Sequence, residues 1–412
     1  MENRIKDVKA REILDSRGNP TVEVKIQLES GVTGISSAPS GASTGIHEAH
    51  ELRDGDKDRY GGRGVRLAVR NVNEIIRPAL LGANVSDQAG IDERMIALDQ
   101  SRNKSNLGAN SILATSMAAA RAAANEFGLE LYEYLLRYEE KTMPTPMFNL
   151  LNGGAHASNN IDIQEFMVVP HSLPFPDAVR AGSEIYHTLG RMLSERGLSC
   201  GVGDEGGFAP NLKSDEEAIE LLVEAIEKSG YSTDKIGIAL DVASSEWYEN
   251  GEYVLPKRCQ SMTVDQLISY YSRLCDKYPI ISIEDGLAED DFDGWRSLTD
   301  ALGDKIMLVG DDLFVTNEER LDTGASLGLG NAILIKPNQI GSLTETLRVI
   351  KKAKSKGYKY IISHRSGETT DTSIADIAVA TSAPFIKTGA PCRGERVAKY
   401  NRLLEIYDRL TR

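Results

Sequence analysis

The sequence predicts an α/β protein whose larger part, residues 138–412, closes into a (β/α) barrel, with a smaller domain before it over residues 1–137. Three observations lead there. First, short apolar runs that each end in a charged or imidazole side chain recur through the second part. They are Ile238-Ala239-Leu240-Asp241, Ile281-Ser282-Ile283-Glu284, Met307-Leu308-Val309-Gly310-Asp311, Ile333-Leu334-Ile335-Lys336, Tyr360-Ile361-Ile362-Ser363-His364 and Phe385-Ile386-Lys387. Second, the gaps between those terminal residues are 43, 27, 25, 28 and 23, room for one helix each, as parallel βαβ units require. Third, no Gly-rich dinucleotide fingerprint opens the series, which counts against an open doubly wound sheet and for a closed barrel. A chain of 412 residues also exceeds one ordinary domain.

Taken in order, residues 19–37 read as a β-hairpin. Thr21 to Ile26 alternates polar and apolar, and Glu29-Ser30-Gly31 supplies the turn. Ser40-Gly41-Ala42-Ser43-Thr44-Gly45 is six small residues, too small for core and poor as helix, so it reads as a loop. Asn106 to Phe127 is Ala-rich and helical, with Gly128 as C-cap. The pattern breaks around Met143-Pro144-Thr145-Pro146, which sets the boundary near residue 138. Thr263–Lys277 and Ser342–Lys356 read as helices between strands, the first with Thr263 as N-cap and Asp265 in its first turn. The charge-rich run Leu287–Asp293 reads as a solvated loop.

The composition supports a globular chain with a sizeable core, at 41% hydrophobic and 26% charged residues. A net charge of −14 argues against nucleic acid or an acidic membrane as partner. No apolar run reaches spanning length and the start lacks a secretory h-region, so the expected location is the cytoplasm. Cys200, Cys259, Cys275 and Cys392 are widely spaced and read as reduced thiols.

In a parallel barrel the carboxyl ends of the strands converge on one face, where chemistry is done. Asp241, Glu284 and Asp311 close three successive strands and so point to one place. Such acids repel one another when buried unless a cation joins them. With no thiolate or imidazole among them they form a hard oxygen set suited to Mg²⁺. The next strand ends are Lys336, His364 and Lys387. An ammonium beside another ammonium and a divalent metal has its pKa lowered, which makes a lysine a usable base. A lysine base facing Mg²⁺ fits removal of a proton α to a carboxylate. His364-Arg365-Ser366-Gly367 offers a guanidinium, a hydroxyl and an open backbone amide, a phosphate clamp. Gly203-Asp204-Glu205-Gly206-Gly207 sets an unshielded carboxylate in a loop, and a protonated Glu205 could give its proton to a departing hydroxide. Gln164 and Glu165 open the run Phe166–Val169 and flank the same pocket. His47-Glu48-Ala49-His50 has H-E-x-H spacing, which is not the zinc-protease pair.

These segments together resemble the enolase family. The resemblance runs from Asp15-Ser16-Arg17-Gly18-Asn19-Pro20-Thr21 to Val397-Ala398-Lys399-Tyr400-Asn401. Between them it includes Ser40–Gly45, Leu151-Asn152-Gly153-Gly154-Ala155-His156, Gln164-Glu165-Phe166, Gly203–Gly207, Ser282-Ile283-Glu284-Asp285, Gly310-Asp311-Asp312-Leu313, Ile335–Ser342 and Ser363–Glu368. It implies a (β/α)8-type barrel with irregular first strands behind an α+β domain, and reversible dehydration of 2-phosphoglycerate to phosphoenolpyruvate in glycolysis. A lysine base with Mg²⁺ is the established pattern of that superfamily. By resemblance Lys336 is the base at C2, and Glu205 the acid with Glu165 beside it. Asp241, Glu284 and Asp311 hold a first Mg²⁺. A second Mg²⁺ arrives with substrate, held partly by Ser43. Arg365 and Ser366 grip the phosphate, while His156, Gln164, His364 and Lys387 line the pocket. A homo-oligomer, dimer or larger, is also implied. The chain departs from the pattern at Gly286, where many members have proline.

Two rival readings make different demands. An acid-sugar dehydratase or racemase of the wider superfamily would lack the Ser40–Gly45 loop and the phosphate clamp. A non-catalytic relative would lack at least one ligand, acid or base. Neither loss is found here.

Overall fold

The computed structural model describes residues 3–41, 45–135 and 140–412. The expected boundary at 137/138 and the expected metal ligand Ser43 lie outside them. The N-terminal part is a three-stranded antiparallel sheet, β1 (Ile5–Leu14), β2 (Pro20–Leu28) and β3 (Thr33–Ser37), covered by helices. The expected hairpin is β2–β3. Strand β1 was not expected, because IKDVKAREIL mixes charges into both faces. The Ala-rich helix forms as Ala109–Glu126 and lies flat on the sheet. A side chain at Gly34 would meet Ala118 O at 2.3 Å and Ala122 N at 2.2 Å, so strand and helix approach as closely as their backbones allow.

The larger part closes an eight-stranded barrel from β4 (Thr145–Asn152), β5 (Glu165–Val169), β6 (Gly237–Asp241) and five later strands. A separate small sheet, β7 (Tyr248–Glu249), β8 (Glu252–Leu255) and β9 (Gln260–Met262), follows β6. The barrel resumes with β10 (Ile280–Glu284), β11 (Met307–Gly310), β12 (Ala332–Ile335), β13 (Lys359–Ser363) and β14 (Phe385–Lys387), which pairs back onto β4. All the pairings are parallel except those of β5, which runs antiparallel to both β4 and β6. Two helices, Phe175–Glu195 and Asp215–Lys228, follow β5 in succession before β6. The first strands therefore break the regular order, as the resemblance implies and the rhythm of apolar runs alone could not show.

Inward side chains fill the barrel, among them Met147, Met167, Ala239, Val309, Leu334 and Ile361. The outer helices begin where expected. Thr263 makes a capping box with Gln266, and Ser342 accepts from Glu345 N. The run Leu287–Asp293 is not simply solvated. Leu287 and Ala288 are buried, and Asp291 caps the helix Phe292–Leu302. No described helix is long and apolar enough to cross a membrane.

The two parts are joined by backbone as well as side chains. Ser40 and Gly367 exchange two hydrogen bonds, 2.8 and 2.9 Å. The Asp371 carboxylate accepts from Ser36 Oγ at 2.6 Å and Ser37 N at 3.2 Å on β3, and from Arg121 Nη2 at 3.2 Å on the Ala-rich helix.

Candidate active site

One end of the barrel collects the charged strand ends. Asp241 closes β6 and Glu284 closes β10, and the two stand side by side in register. Glu165 stands opposite Asp241 across the antiparallel pair, because β5 begins at the end where its neighbours finish. Residues in register across paired strands project to the same side, so three carboxylates line up. Lys387, at the end of β14, reaches all three, with its Nζ 2.8 Å from Asp241 Oδ2, 2.9 Å from Glu284 Oε1 and 3.4 Å from Glu165 Oε1. Asp311, just past β11, pairs with Lys336, just past β12. Gln164 Nε2 donates to Asp241 Oδ2 at 3.4 Å.

Glu205 comes from the loop between the two helices that follow β5. It is buried, at 2% exposure, not unshielded as its flanking glycines suggest. Those glycines let the loop press onto β4: a Cβ at Gly207 would lie 2.4 Å from Asn152 Oδ1. Phe208 N donates to Leu150 O and Asn152 N to Phe208 O, fixing the loop to the strand. Glu205 Oε2 accepts from Asn149 Nδ2 at 3.0 Å and lies 3.4 Å from His364 Nε2. His156 Nδ1 stands 3.6 Å from Glu165 Oε1 and 3.7 Å from Glu205 Oε1. Its turn is held by Lys257 Nζ, which donates to Gly154 O and Ala157 O.

Arg365 and Ser366 follow β13 and are buried. The guanidinium meets Glu48 through two bonds, 2.8 and 3.2 Å, in the forked geometry that also suits a phosphate. Much of this set lines a cavity of about 30 Å³, including His156, Glu205, Asp311, Lys336, Arg365 and Lys387.

The electrostatics follow from burial and contact. Burial and then the charge of Glu205 raise Glu165 well above the usual carboxylate range. Burial also acts to raise Glu205, but His364 and His156 outweigh it and hold Glu205 low. Burial and like charge thus favour the protonated form of Glu165, and the two histidines favour the charged form of Glu205. Two carboxyls so close titrate together. Burial opposes a charge on Lys336, yet the Asp311 carboxylate in contact with it wins and holds the ammonium above its ordinary value. The lowering expected from the sequence is that of a site which also holds a divalent cation. Burial lowers His364 to about 4, so its ring is neutral at pH 7.

Seven acids, Glu165, Glu205, Asp241, Glu284, Asp285, Asp311 and Asp312, stand here against Lys336, Lys387 and Arg365. Glu165 Oε2 and Glu284 Oε2 are buried without a hydrogen-bond partner. Single ligand atoms of Asp285, Asp311 and Asp312, and likewise of His156, Glu165 and Glu205, lie within 4.8 Å of one another. Excess buried carboxylate with unpartnered oxygens fits a hard divalent cation.

The chain matches two family models: the enolase N-terminal domain over residues 5–135 and the enolase C-terminal TIM barrel domain over residues 140–412. The chain belongs to the enolase family. It is thus built as a lyase-type enzyme acting on a small molecule, and its acidic clusters could hold a metal ion. Several contributors to this enolase-family site were not singled out from the sequence. Asn149 hides in an apolar strand, and Glu48 sits in a motif dismissed for its spacing. Asp285, at positive φ, turns back to accept from Asp311 N and Asp312 N, both at 2.9 Å. The signal for Asn149 is a polar residue inside the buried run Met147–Leu151.

Proposed function

We propose that the protein is a Mg²⁺-dependent phosphopyruvate hydratase, interconverting 2-phospho-D-glycerate and phosphoenolpyruvate in glycolysis and gluconeogenesis. The observation that carries this reading is a lysine and two neighbouring buried carboxyls, Glu165 and Glu205, set around one acidic cluster beside a guanidinium–hydroxyl loop. Lys336 takes the C2 proton. The Glu165–Glu205 pair gives a proton to the hydroxyl leaving C3, so water departs and the double bond forms. Arg365 and Ser366 bind the phosphate, which exchanges for Glu48 on the same guanidinium fork. His156, Gln164, His364 and Lys387 line the substrate.

Asp241, Glu284 and Asp311 would hold one Mg²⁺, and Ser43 would help hold a second that enters with substrate. Bound there, divalent charge would stabilise the negative charge left by C2 deprotonation, and Asp311, which contacts Lys336, would be one of its ligands. We place the enzyme in the cytoplasm as a homo-oligomer, a reading its family suggests. The −14 net charge supports a small anionic substrate held by local cations over a nucleic-acid or membrane partner.

The test is ultraviolet absorbance of phosphoenolpyruvate formed from 2-phosphoglycerate, with and without a chelator. Metal-dependent formation is expected. Activity that survives full removal of divalent cations sinks the mechanism, and no activity with metal restored sinks the substrate assignment.

A further inference from the structure

Among the described residues Arg396 is the largest charged side chain that is fully enclosed, at 0% exposure, and it has no part in the chemistry proposed above. It sits in the first turn of the C-terminal helix Gly394–Leu410. Its Nη1 lies 2.6 Å from His364 Nδ1 and 2.6 Å from Arg365 O. Its Nη2 donates to Asp204 O at 3.2 Å and to Ser366 O. Nε has no hydrogen-bond partner, with Glu395 Oε1 3.3 Å away. One guanidinium thus touches the residue before Glu205, both residues of the guanidinium–hydroxyl loop, and the imidazole between them.

A guanidinium can only donate. The imidazole nitrogen facing it must therefore offer a lone pair, which puts the proton of a neutral His364 on Nε2. That nitrogen faces Glu205 Oε2 at 3.4 Å. Flipping the ring would set a carbon-bound hydrogen against the guanidinium. Protonating Nδ1 would set two donors against each other at a buried contact. The charged groups around the ring are Arg396 on one side, Glu205 on the other, and Glu368 farther off. Oε2 of Glu205 accepts from Asn149 Nδ2 at 3.0 Å and has His364 Nε2 facing it at 3.4 Å, close but short of a formed hydrogen bond, which leaves Oε1, the oxygen toward His156, the freer one to carry the moving proton.

We infer that Arg396 is a positioning residue that locks His364 as its Nε2–H tautomer and thereby orients Glu205, selecting which carboxylate oxygen handles the proton. The catalytic part of this inference rests on the dehydratase reading above, whereas the tautomer does not.

The test uses the full chain with ¹⁵N-labelled histidine at pH 7, with the six histidines assigned using a His364→Gln control. Wild-type His364 is expected to show a pyridine-like Nδ1 and a protonated, pyrrole-like Nε2. In Arg396→Gln that signature should shift toward a mixture. Dehydration kcat should fall about 100-fold, while C2 proton exchange and KM stay within about threefold. A wild-type His364 that is Nδ1-protonated or cationic overturns the inference, even if the variant does not fold. So does an unchanged His364 signature in a folded Arg396→Gln, or equal loss of exchange and dehydration. A wild-type chain inactive on 2-phosphoglycerate would remove the dehydratase reading, and the nitrogen spectrum would still decide the role of Arg396.

Discussion

Replacing Asp371 by alanine should loosen the small domain from the barrel, by an amount that depends on pH. Its carboxylate accepts from Ser36 Oγ, Ser37 N, Ser373 N and Arg121 Nη2 at 2.6, 3.2, 2.7 and 3.2 Å. Burial acts to raise its pKa, but Arg121 and the hydroxyl donors prevail and hold it below the usual range. Hydrogen bonds to a charged group contribute about 1.5–3 kcal/mol each, and bonds on one carboxylate do not add fully. The side chain keeps 12% exposure and Arg121 keeps 26%, so water can partly replace the lost partners. The expected cost is about 3 kcal/mol. For a chain of 412 residues unfolding as one unit, this lowers Tm by about 3–4 °C.

The pH dependence has a definite sign. A carboxyl with a depressed folded pKa adds stability that is fully present above its unfolded pKa, about 3.9, and is lost as pH falls through the folded value. The difference in Tm between wild type and Asp371→Ala, followed by calorimetry, should thus be constant from pH 7 to 5 and shrink below about pH 4. A difference that is absent at pH 7, or that persists undiminished in acid, refutes the argument.

Other outcomes can be checked at the site. Lys336→Ala should lower C2 proton exchange with solvent deuterium by at least about 100-fold while substrate still binds, as followed by NMR and a binding titration. Glu205→Gln should spare exchange more than dehydration, and equal loss of both would contradict the assigned roles. Gly207→Ala should cost about 1–3 kcal/mol by overpacking, since its Cβ would fall 2.4 Å from Asn152 Oδ1. Chemical denaturation measures this, and an unchanged midpoint would mean that the loop shifts freely.

Much of the site is legible in the sequence because strand ends in a parallel barrel are forced together. Asp241, Glu284, Asp311, Lys336, His364 and Lys387 could be read as one constellation for that reason alone. The direction of β5 was not legible, since an apolar run such as Glu165–Val169 looks the same run either way. Glu165 was therefore near the right pocket without a derived reason. The partner of each charge was hidden too. Composition shows how many lysines and acids there are, but only the fold sets Lys336 on Asp311 and Lys387 among three carboxylates. Arg396 lies in GERVAKYNRLLEIYDRL, where charges at this density suggest a solvated face, and it is fully enclosed all the same. Local pattern cannot tell a cation that faces water from one that faces four acceptors.

The reversed strand β5 does more than bring Glu165 to the mouth. Because it ends at the far rim, the chain must climb back through one outer helix and descend through the next, and the bend between them arrives at the mouth carrying Glu205. The groups around the acidic cluster are thus mounted in two ways. Lys336 and Asp311 stand on the staves of the barrel, stiffened on both sides by neighbouring backbone. Glu205 hangs from the outer ring and leans inward over the rim, steadied by asparagines on β4 and by the guanidinium of the last helix. A disturbance of the outer helices would therefore displace Glu205 while leaving Lys336 and the acidic cluster where they are.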